Sequence, residues 1–518
     1  MTIVLKSYLS GQWVAGTGRK SLLHNPTTGA VVAETSTEGL DLGAALEFAR
    51  SRGGAALREL SFAQRGELLT AMASALHEHR AELLALGALN GGNTRGDAKF
   101  DVDGATSTMA WYAKLGESLG DAGFLVDADT IQLARNPRYV GQHIRVPRHG
   151  VAVHINAFNF PAWGFGEKAA VALLAGVPVV CKPATSTALL TARMFEILVD
   201  AQVVPEGAIS LLAGSAGDLL DHLGPQDALA FTGSSDTGAF IRSRDNVVRL
   251  GVRTNVEADS LNAAVLGPDV EVDTDTFDLF LREVGKDMSQ KAGQKCTAIR
   301  RIFVPRGSLE VVRDALVEQA AGFAYGDPNV SGVQIGPVAT AAQQRDVRAG
   351  VQTLAASGRL LLGDGGVGSP QGTGLEGGYF VTPTLLEVDG PDVGVVHDLE
   401  VFGPVQTIIP YDGTADQAVR AVARGRGGLV STVYTDDKRF AMRAVLGLAP
   451  HHGRVCIGGS KVADHSPGPG TVMPQMVHGG PGRAGGGEEL GGVRGLHFYM
   501  QRCGVQGLKP LVEKIAGL

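Results

Sequence analysis

Residues 151–182 read VAVHINAFNFPAWGFGEKAAVALLAGVPVVCK, and this stretch decides the fold. It begins and ends with short apolar runs, VAVHINAFN and VPVVCK, and its middle, GEKAAVALLAG, is typical of a helix. Continuous apolar strands that alternate with helices indicate a parallel sheet with both faces covered. The sequence therefore predicts an α/β fold with a doubly wound parallel sheet, and nucleotides usually bind at the carboxyl ends of such strands.

The same alternation continues towards the C-terminus. LLTARMFEILVDA, AISLLAG, GDLLDHL, ALAFTG and a helix from Ser234 complete a first series of strands and helices. A second series runs from Ala263 to about residue 459 through AAVLG, RIFVP, TPTLLEV, PVQTIIPY and GLVSTVYT, with a helix from Ser308 among them. We place a domain boundary near residue 260, between the two series.

The two ends of the chain have other patterns. KSYLSGQWV and SLLHNP are predicted to form a strand pair, and the segments that follow carry apolar residues at three- and four-residue spacing, which predicts a helical layer. Residues 357–378 are rich in glycine and predict an exposed loop. Near the C-terminus, LHFYMQRCGVQ predicts a strand.

These patterns divide the chain into three predicted parts. Residues 1–131 and 151–260 form a cofactor-binding domain, and residues 261–465 form an α/β catalytic domain. Residues 132–150, which alternate like an exposed strand, pair with the tail of residues 466–518 in a small β oligomerisation element. Exposed strand edges promote aggregation unless they are covered, so we expect another subunit to bury them. The sequence thus predicts a homodimer or a dimer of dimers.

Composition and charge favour a small-molecule enzyme. The 518 residues carry a formal net charge of -7, which gives no general attraction to nucleic acid or to an anionic membrane. The sequence has no apolar run long enough for a membrane span and no secretory leader pattern, so we expect a cytoplasmic protein.

The cysteines and histidines predict neither a metal site nor a disulfide. Cys181, Cys296, Cys456 and Cys503 lie far apart without a CxxC pair, which indicates free thiols in a reducing compartment. The histidines of His77-Glu78-His79 and His451-His452 lack HExxH spacing, so we interpret both groups as solvated surface.

Gly293-Gln294-Lys295-Cys296-Thr297 stands at a junction between predicted elements. It ends the amphipathic segment FDLFLREVGKDMSQKAGQKC, a predicted helix broken at Gly293, and it precedes the apolar run Ile302 to Val304. Cys296 is a candidate nucleophile, and Lys295 could favour its thiolate form. The alternative is a small buried apolar residue, as free cysteines often are.

Six motifs occur in one order along nearly the whole chain. They are FNFP (158–161), KPA (182–184), FTGSSDTG (231–238), Glu257, GQKC (293–296) and EVFGP (400–404). Each motif alone is weak, but in this order and spacing they resemble the aldehyde dehydrogenase superfamily. The resemblance implies the fold of that superfamily and oxidation of an aldehyde with a nicotinamide cofactor.

The resemblance also implies catalytic roles. Cys296 would attack the aldehyde carbon, Asn159 would donate its amide to the oxyanion, and Glu257 would activate the water that hydrolyses the thioester. Without the family pattern, Asn159 is a turn former beside Pro161 and Glu257 is a solvated carboxylate. Because Glu257 is retained, we expect a free carboxylate product rather than acyl transfer to CoA, although NVEADSLN departs from the ELGGK-like sequence usual around this glutamate.

Three more residues are implied in proton transfer. Lys168 and Glu489 match a lysine and a glutamate that form a relay in the family, and Glu167 would be an additional partner. The alternative for Glu167 and Lys168 is an ordinary ion pair on a helix surface.

The cofactor site is implied by the same resemblance. Gly233 and Ser234 would bind phosphate at a helix N-terminus, without a GxGxxG motif. Glu400 would bind the nicotinamide ribose, and its alternative is a surface carboxylate in a turn. The remaining residues implied in this site are Phe158, Gly214 and Phe402.

NADP is the expected cofactor. NAD-preferring relatives carry a glutamate after KPA that binds the adenosine ribose and repels a 2′-phosphate, and this chain has Thr185 instead. Lys182 could pair with that phosphate, and Ala184 completes the site.

The C-terminal sequence HGGPGRAGGGEELGGVRGLHFYMQR narrows the expected substrate. It resembles superfamily members that oxidise CoA-linked semialdehydes in the aerobic breakdown of benzoate and phenylacetate. A general aliphatic or aromatic aldehyde dehydrogenase is the alternative within the family. A cysteine-dependent esterase that uses no nucleotide is the alternative outside it.

Overall fold

The computed structural model describes residues 2–517. Met1 and Leu518, at the ends of the predicted first and last segments, lie outside the described residues. The strands, in chain order, are β1 (Ile3–Leu5), β2 (Ser7–Leu9), β3 (Gln12–Val14), β4 (Ser21–His24), β5 (Val31–Thr35), β6 (Leu125–Gln132), β7 (Tyr139–Pro147), β8 (Ala152–Ile155), β9 (Val179–Lys182), β10 (Ile209–Leu211), β11 (Ala228–Thr232), β12 (Arg253–Glu257), β13 (Asn262–Leu266), β14 (Ile299–Pro305), β15 (Arg359–Leu362), β16 (Thr384–Glu387), β17 (Val405–Tyr411), β18 (Gly428–Tyr434), β19 (His452–Gly458), β20 (Val477–Gly480), β21 (Gly487–Leu490) and β22 (Met500–Leu508).

The helices between β5 and β6 follow one another without a strand, and helices separate most of the later strands. They are α1 (Leu42–Phe48), α2 (Gly54–Arg58), α3 (Phe62–Glu78), α4 (Arg80–Gly91), α5 (Arg95–Leu119), α6 (Trp163–Leu174), α7 (Ala188–Asp200), α8 (Ser235–Arg242), α9 (Asp245–Arg249), α10 (Asp275–Ser289), α11 (Leu309–Ala321), α12 (Ala341–Ala355), α13 (Val395–Asp398), α14 (Ala415–Ala423), α15 (Lys438–Leu448), α16 (Val493–Tyr499) and α17 (Lys509–Ala516). No helix within residues 2–517 has the length and apolar character to cross a membrane.

Two seven-stranded sheets form the centre of the molecule. The first has the order β12-β11-β8-β9-β10-β2-β3, and its first five strands are parallel. The second has the order β15-β16-β17-β14-β13-β18-β19, and all its pairs are parallel except β15 with β16. The predicted α/β fold with parallel strands is confirmed.

Strand order in the first sheet marks where a ligand would bind. From β8 the chain proceeds to β9 and β10 on one side, and β11 and β12 then add on the other side. This reversal lies between β8 and β11, and open α/β sheets bind ligands at the carboxyl ends of strands beside such a point. The FNFP motif follows β8, and Gly233 follows β11.

A third sheet has the order β22-β7-β6. Strands β7 and β22 pair antiparallel along their full lengths, so residues 132–150 and the tail meet within one chain. Nothing in a single chain tests the predicted domain boundaries, and they stay a proposal.

Three local predictions were wrong. KSYLSGQWV forms the β2–β3 hairpin by itself, and SLLHNP pairs instead with β5, because Val31–Thr35 provides the neighbouring strand. In LHFYMQRCGVQ, the first four residues belong to α16, where Leu496 and Tyr499 are buried one turn apart, and the strand begins at Met500. The glycine-rich stretch 357–378 contains β15.

Candidate active site

A left-handed backbone turn presents Cys296 to a cleft between the two large sheets. Helix α10 ends at Ser289, and Lys291, Ala292 and Gly293 then have φ values of 56°, 51° and 68°. A Cβ atom on Gly293 would lie 2.1 Å from the carbonyl oxygen of Gly403, so only glycine fits there. The turn places Cys296 just before β14, where its side chain is partly exposed.

Two aspartates of α5 fix this turn. The Asp97 carboxylate accepts a hydrogen bond from the Lys291 backbone N–H at 2.8 Å. The Asp101 carboxylate lies 3.7 Å from Lys291 Nζ and accepts the Trp163 backbone N–H at 2.7 Å, at the start of α6. Helix α5 therefore holds the cysteine turn and α6 in a fixed relation.

Glu257 and His478 lie beside the cysteine. Glu257 is the last residue of β12 and is 2% exposed, and His478 lies in β20 and is 3% exposed. His478 Nε2 lies 3.9 Å from Cys296 Sγ and 3.2 Å from Glu257 Oε1. The sulfur, a carboxylate oxygen and an imidazole nitrogen all lie within 4.8 Å of one another.

Asn159 lies on the same cavity, and its side-chain amide is oriented by the cysteine turn. Its Nδ2 donates a hydrogen bond to the Gln294 carbonyl oxygen at 3.0 Å. The cavity has a volume of about 40 Å³, and its walls include Asn159, Glu257, Cys296 and His478. An amide has a second N–H group, so Asn159 can still donate to a ligand in the cavity.

Lys295 does not act on Cys296, contrary to the prediction from its sequence position. It is fully buried, and its Nζ donates to Asp287 Oδ1 at 2.5 Å and to Gln290 Oε1 at 2.9 Å. The side chain therefore points back to α10. The cation that favours the thiolate is Arg454 of β19, although burial and Glu257 act in the opposite direction and raise the pKa of the Cys296 thiol.

Glu167, Lys168 and Glu489 form a buried ion-pair group next to Glu257. Lys168 Nζ lies 3.2 Å from Glu167 Oε1 and 3.1 Å from Glu489 Oε2, while Asn255 Nδ2 donates to Glu489 Oε1 at 3.0 Å. Lys168 is 3% exposed, so an ordinary helix-surface pair does not describe these residues. Glu167 and Lys168 also line a second cavity that contains Glu489.

The charges of this group shift the carboxyl pKa values in opposite directions. Burial raises the pKa of Glu167 to about 7, because the attraction of Lys168 is offset by the nearby carboxylates of Glu489 and Glu257. Burial would also raise the pKa of Glu257, but His478 and Lys168 outweigh it and hold that pKa below its usual range. The same ion pair raises the pKa of His478 despite its burial.

The predicted cofactor residues are divided between two places. Lys182, Gly214 and Gly233 lie at or just after the carboxyl ends of β9, β10 and β11, and Ala184 and Thr185 follow Lys182. Ser234 is the N-cap of α8, and its hydroxyl accepts the Thr237 backbone N–H at 3.3 Å.

Glu400, Phe402 and Phe158 form the other part. The Phe158 and Phe402 rings meet edge to face, with centroids 5.8 Å apart. Glu400 Oε2 accepts the Ser260 backbone N–H at 2.9 Å, and its Oε1 lies 3.6 Å from Arg300 Nε. Glu400 is therefore bound at the cleft and is not a free surface carboxylate.

The histidines include one functional candidate that the sequence did not identify. His478 is the first residue of the HGGPGRAGGGEELGG motif, whose Glu489 was selected. Strands β20 and β21 pair His478 directly with Glu489, and opposed residues of an antiparallel pair share a face. A glycine-rich turn between two short strands was the available signal for this pairing.

The histidines interpreted as solvated surface divide in the structure. His77 and His79 are exposed, as predicted. His452 is buried and bonds Ser431 Oγ at 2.9 Å, so its interpretation as surface was wrong. The prediction that the chain holds no metal stays untested.

A family model described as "Aldehyde dehydrogenase family" matches residues 13–504. The chain belongs to this family. This aldehyde dehydrogenase is 46% identical over 478 residues to a 3,4-dehydroadipyl-CoA semialdehyde dehydrogenase from Aromatoleum evansii, across 92% of this chain and 93% of the relative. It is 28% identical to human retinal dehydrogenase 2, across 84% of this chain and 81% of that one.

Solved structures agree with this family at the level of the fold. The NAD⁺ complex of an aldehyde dehydrogenase from Bacillus cereus matches with a TM-score of 0.83 at 24% identity, over 97% of this chain and 96% of that chain. This likeness confirms the aldehyde dehydrogenase fold that the motif order predicted.

Proposed function

We propose that this enzyme oxidises the aldehyde group of a CoA-linked semialdehyde to a carboxylate, with NADP as the hydride acceptor, in the degradation of benzoate. The substrate class follows from the relative of 46% identity, whose name specifies 3,4-dehydroadipyl-CoA semialdehyde. The observation that supports the chemistry is the meeting of Cys296, Asn159 and Glu257 around one cavity.

In the first half of the proposed reaction, Cys296 Sγ bonds to the aldehyde carbon and forms a thiohemiacetal. The Asn159 amide, held by the Gln294 carbonyl, donates to the oxyanion. Bound NADP supplies the chemistry of hydride acceptance. Cys296 then carries the acyl group as a thioester.

In the second half, Glu257 takes a proton from the water that attacks the thioester. The cavity of about 40 Å³ beside Glu257 has room for such a water, since about 10–15 Å³ on this measure of volume is enough for one. Glu167, Lys168 and Glu489 lie where they could carry the proton onwards from Glu257. The product is a free carboxylate.

Observations on both sides of the cleft fit a nicotinamide dinucleotide. Glu400 Oε1 is buried and has no hydrogen-bond partner within residues 2–517, and ribose hydroxyl groups are donors that would satisfy it. Phe402 would pack beside the nicotinamide. Ser234 and Gly233 begin a helix, where backbone N–H groups favour phosphate. Thr185 in place of a carboxylate removes the charge that would repel a 2′-phosphate, which supports NADP.

We also propose that the enzyme is a homodimer or a dimer of dimers. The support is the third sheet, whose outer strands β22 and β6 carry exposed apolar side chains, Leu508, Val126 and Ile131. A partner that covers them would remove apolar surface from water.

The test of function measures reduced-cofactor formation with a CoA-linked semialdehyde and with a simple aldehyde of similar chain length, each with NADP and with NAD. We expect a marked preference for the CoA-linked compound with NADP. Equal rates with the simple aldehyde would leave the chemistry and withdraw the substrate assignment.

The cofactor assignment has its own pair of variants. Thr185→Glu returns a carboxylate to the site, and like charges in contact cost several kcal/mol, so we expect the ratio of kcat/KM for NADP to that for NAD to fall by about 100-fold. Thr185→Gln has a similar size without the charge and should keep the wild-type preference. A similar change in both variants would contradict the charge argument.

A further inference from the structure

Cys296 needs a proton acceptor before it can attack. Burial and the Glu257 carboxylate raise the pKa of its thiol, so the resting residue is protonated. Lys295, its neighbour in the sequence, is paired with Asp287 and has no acceptor capacity. The attacking species is the thiolate, so an acceptor must lie within reach of Sγ.

His478 Nε2 is such an acceptor. It lies 3.9 Å from Cys296 Sγ, a hydrogen-bond distance for sulfur, and 3.2 Å from Glu257 Oε1. One nitrogen therefore faces both the proton donor and a carboxylate that stabilises the positive charge created by the transfer. His478 is 3% exposed, so its interactions with both groups are poorly screened by water.

We propose that His478 accepts the thiol proton of Cys296 as the sulfur attacks the aldehyde, and that Glu257 stabilises the resulting imidazolium. This role rests on the proposed function of Cys296 as the nucleophile. The S–H bond breaks, an Nε2–H bond forms, sulfur bonds to the aldehyde carbon, and the carbonyl π electrons move to the oxygen. When water later displaces the acyl group, the leaving thiolate takes the proton back from Nε2.

The surroundings of the pair determine how it titrates. The charged groups that act on Cys296 are Glu257, Glu167 and Arg454, and the same three residues act on His478. The two carboxylates favour a cationic imidazole, and Arg454 favours an anionic sulfur. The carboxylates also raise the pKa of the thiol, and Arg454 also lowers the pKa of the imidazole, so the proton stays on sulfur at rest while the raised pKa of His478 makes it a stronger base.

The proposal is tested without substrate or cofactor, by the rate at which iodoacetamide modifies Cys296 as a function of pH. Mass spectrometry of the Cys296 peptide separates this reaction from that of the exposed Cys503. In the wild-type enzyme we expect the rate to rise first where His478 loses its own proton and can accept that of Cys296, reach a plateau, and rise again where the thiol ionises by itself. A single rise at the pH of a free thiol would overturn the proposal, whatever the variants do.

Two variants separate proton acceptance from hydrogen bonding. His478→Gln keeps an N–H donor for Glu257 but has no basic nitrogen, so we expect the plateau to disappear and the rate at neutral pH to fall by about 100-fold, since a positioned general base contributes about that factor or more. His478→Ala should lose the plateau and regain modification rate when imidazole is added. Wild-type profiles in both variants would overturn the role.

His452→Gln is the matched control, because His452 is also buried and hydrogen-bonded but lies outside the cavity. It should keep the wild-type profile. If the modification profiles are as expected but the enzyme oxidises no aldehyde, the proposed function is disproved and His478 remains the proton acceptor of Cys296. Failure of the proposed function and failure of the His478 role can therefore be distinguished.

Discussion

At the scale of single residues, two buried glutamates of the site differ as proton acceptors. Glu257 is the weaker base and Glu167 the stronger. Glu257 and Glu167 are both buried near Lys168, but of the two only Glu257 forms an ion pair with the imidazole of His478. That neighbour holds the pKa of Glu257 low, whereas burial raises the pKa of Glu167 to about 7. Two glutamates in one cavity can therefore differ in protonation at neutral pH.

Glu257→Gln should separate the two halves of the reaction. The thioester still forms, more slowly because the imidazolium of His478 loses its counter-charge, but water activation is lost, so we expect a first turnover of about one reduced cofactor per chain followed by a kcat lowered by about 100- to 10,000-fold. Stopped-flow measurement of the burst tests this. Glu271→Gln, an exposed carboxamide control, should behave as wild type. Loss of the burst in the same proportion as kcat would contradict the assignment.

The ionisation of Glu167 should appear as a rise in the dependence of kcat on pH. Below its pKa of about 7 the carboxyl group holds a proton and cannot accept another, and above it the carboxylate can, so kcat should rise with pH through about 7. In Glu167→Gln this rise should disappear, with a lower kcat at high pH. Glu196→Gln, on the surface of α7, should keep it. An unchanged inflection in Glu167→Gln would exclude Glu167 from proton transfer.

The sequence predicted the site only where residue type and motif agreed. Cys296, Glu257, Asn159 and Lys168 were found because each belongs to a motif of fixed order, and the structure brings them to one cavity. His478 was missed because its position beside Cys296 and Glu489 depends on the register of β20 with β21, which a single sequence does not reveal. Lys295 was misassigned because neighbours in sequence need not point to the same side of the chain.

At the scale of elements, the strained turn from Lys291 to Gly293 positions Cys296. Non-glycine residues in the left-handed region cost about 1 kcal/mol or more each, and Lys291 and Ala292 are both of this kind. Asp97 and Asp101 of α5 offset that cost through their contacts with Lys291. The helix thus supports a backbone that the local sequence alone would not adopt.

Gly293→Ala should disrupt this element. Its new methyl group would meet the Gly403 carbonyl at 2.1 Å, so the turn must move and Cys296 with it. We expect a loss of about 2 kcal/mol or more in unfolding free energy and nearly complete loss of activity, since strain and overpacking each cost at least 1 kcal/mol. Denaturant unfolding and turnover measure both.

Gly307→Ala is the control for that substitution. A Cβ atom there has no neighbour within 4 Å, and Gly307 does not have a positive φ. It should leave stability and turnover near wild-type values. If Gly293→Ala matched this control in both measurements, the turn would not position the nucleophile.

Among the secondary-structure elements, strands buried on both faces were the easiest to predict from the sequence. Strands β8, β9, β13 and β18 are buried on both faces, and each coincides with an apolar run that the sequence identified. The boundary between α16 and β22 was missed because apolar residues run through it without a glycine or proline. The β2–β3 hairpin was missed although its signal is local, because its two strands are only three residues long and the Ser10-Gly11 turn between them was interpreted as part of one strand.

At the scale of the whole molecule, the third sheet and α17 form an apolar surface that a single chain leaves open. Ile131 and Leu133 lie on or after β6, and Leu508, Leu511 and Ile515 lie on β22 and α17, each at least 44% exposed. Such clustered apolar residues are typical of subunit interfaces. A mass equal to one chain of 53.8 kDa in solution would contradict the proposed oligomer.

Charged residues placed on this surface should dissociate the proposed oligomer. In the double variant Leu508→Asp and Leu511→Asp, carboxylates would have to be buried unpaired at the interface, which is strongly unfavourable. Sedimentation should then show a lower mass than wild type. Val311→Asp, on exposed α11, should leave the mass unchanged. An unchanged mass in the double variant would locate the interface elsewhere.

The cluster of Cys296, Glu257 and His478 has one more consequence. A sulfur, a carboxylate oxygen and an imidazole nitrogen within 4.8 Å of one another are atoms of the types that an added zinc ion can capture as an inhibitor. Traces of zinc should therefore poison the enzyme by sequestering the thiolate, with one ion retained per chain. Adding EDTA should restore turnover, and magnesium in place of zinc should not inhibit the enzyme. Full activity in the presence of excess zinc would refute this expectation.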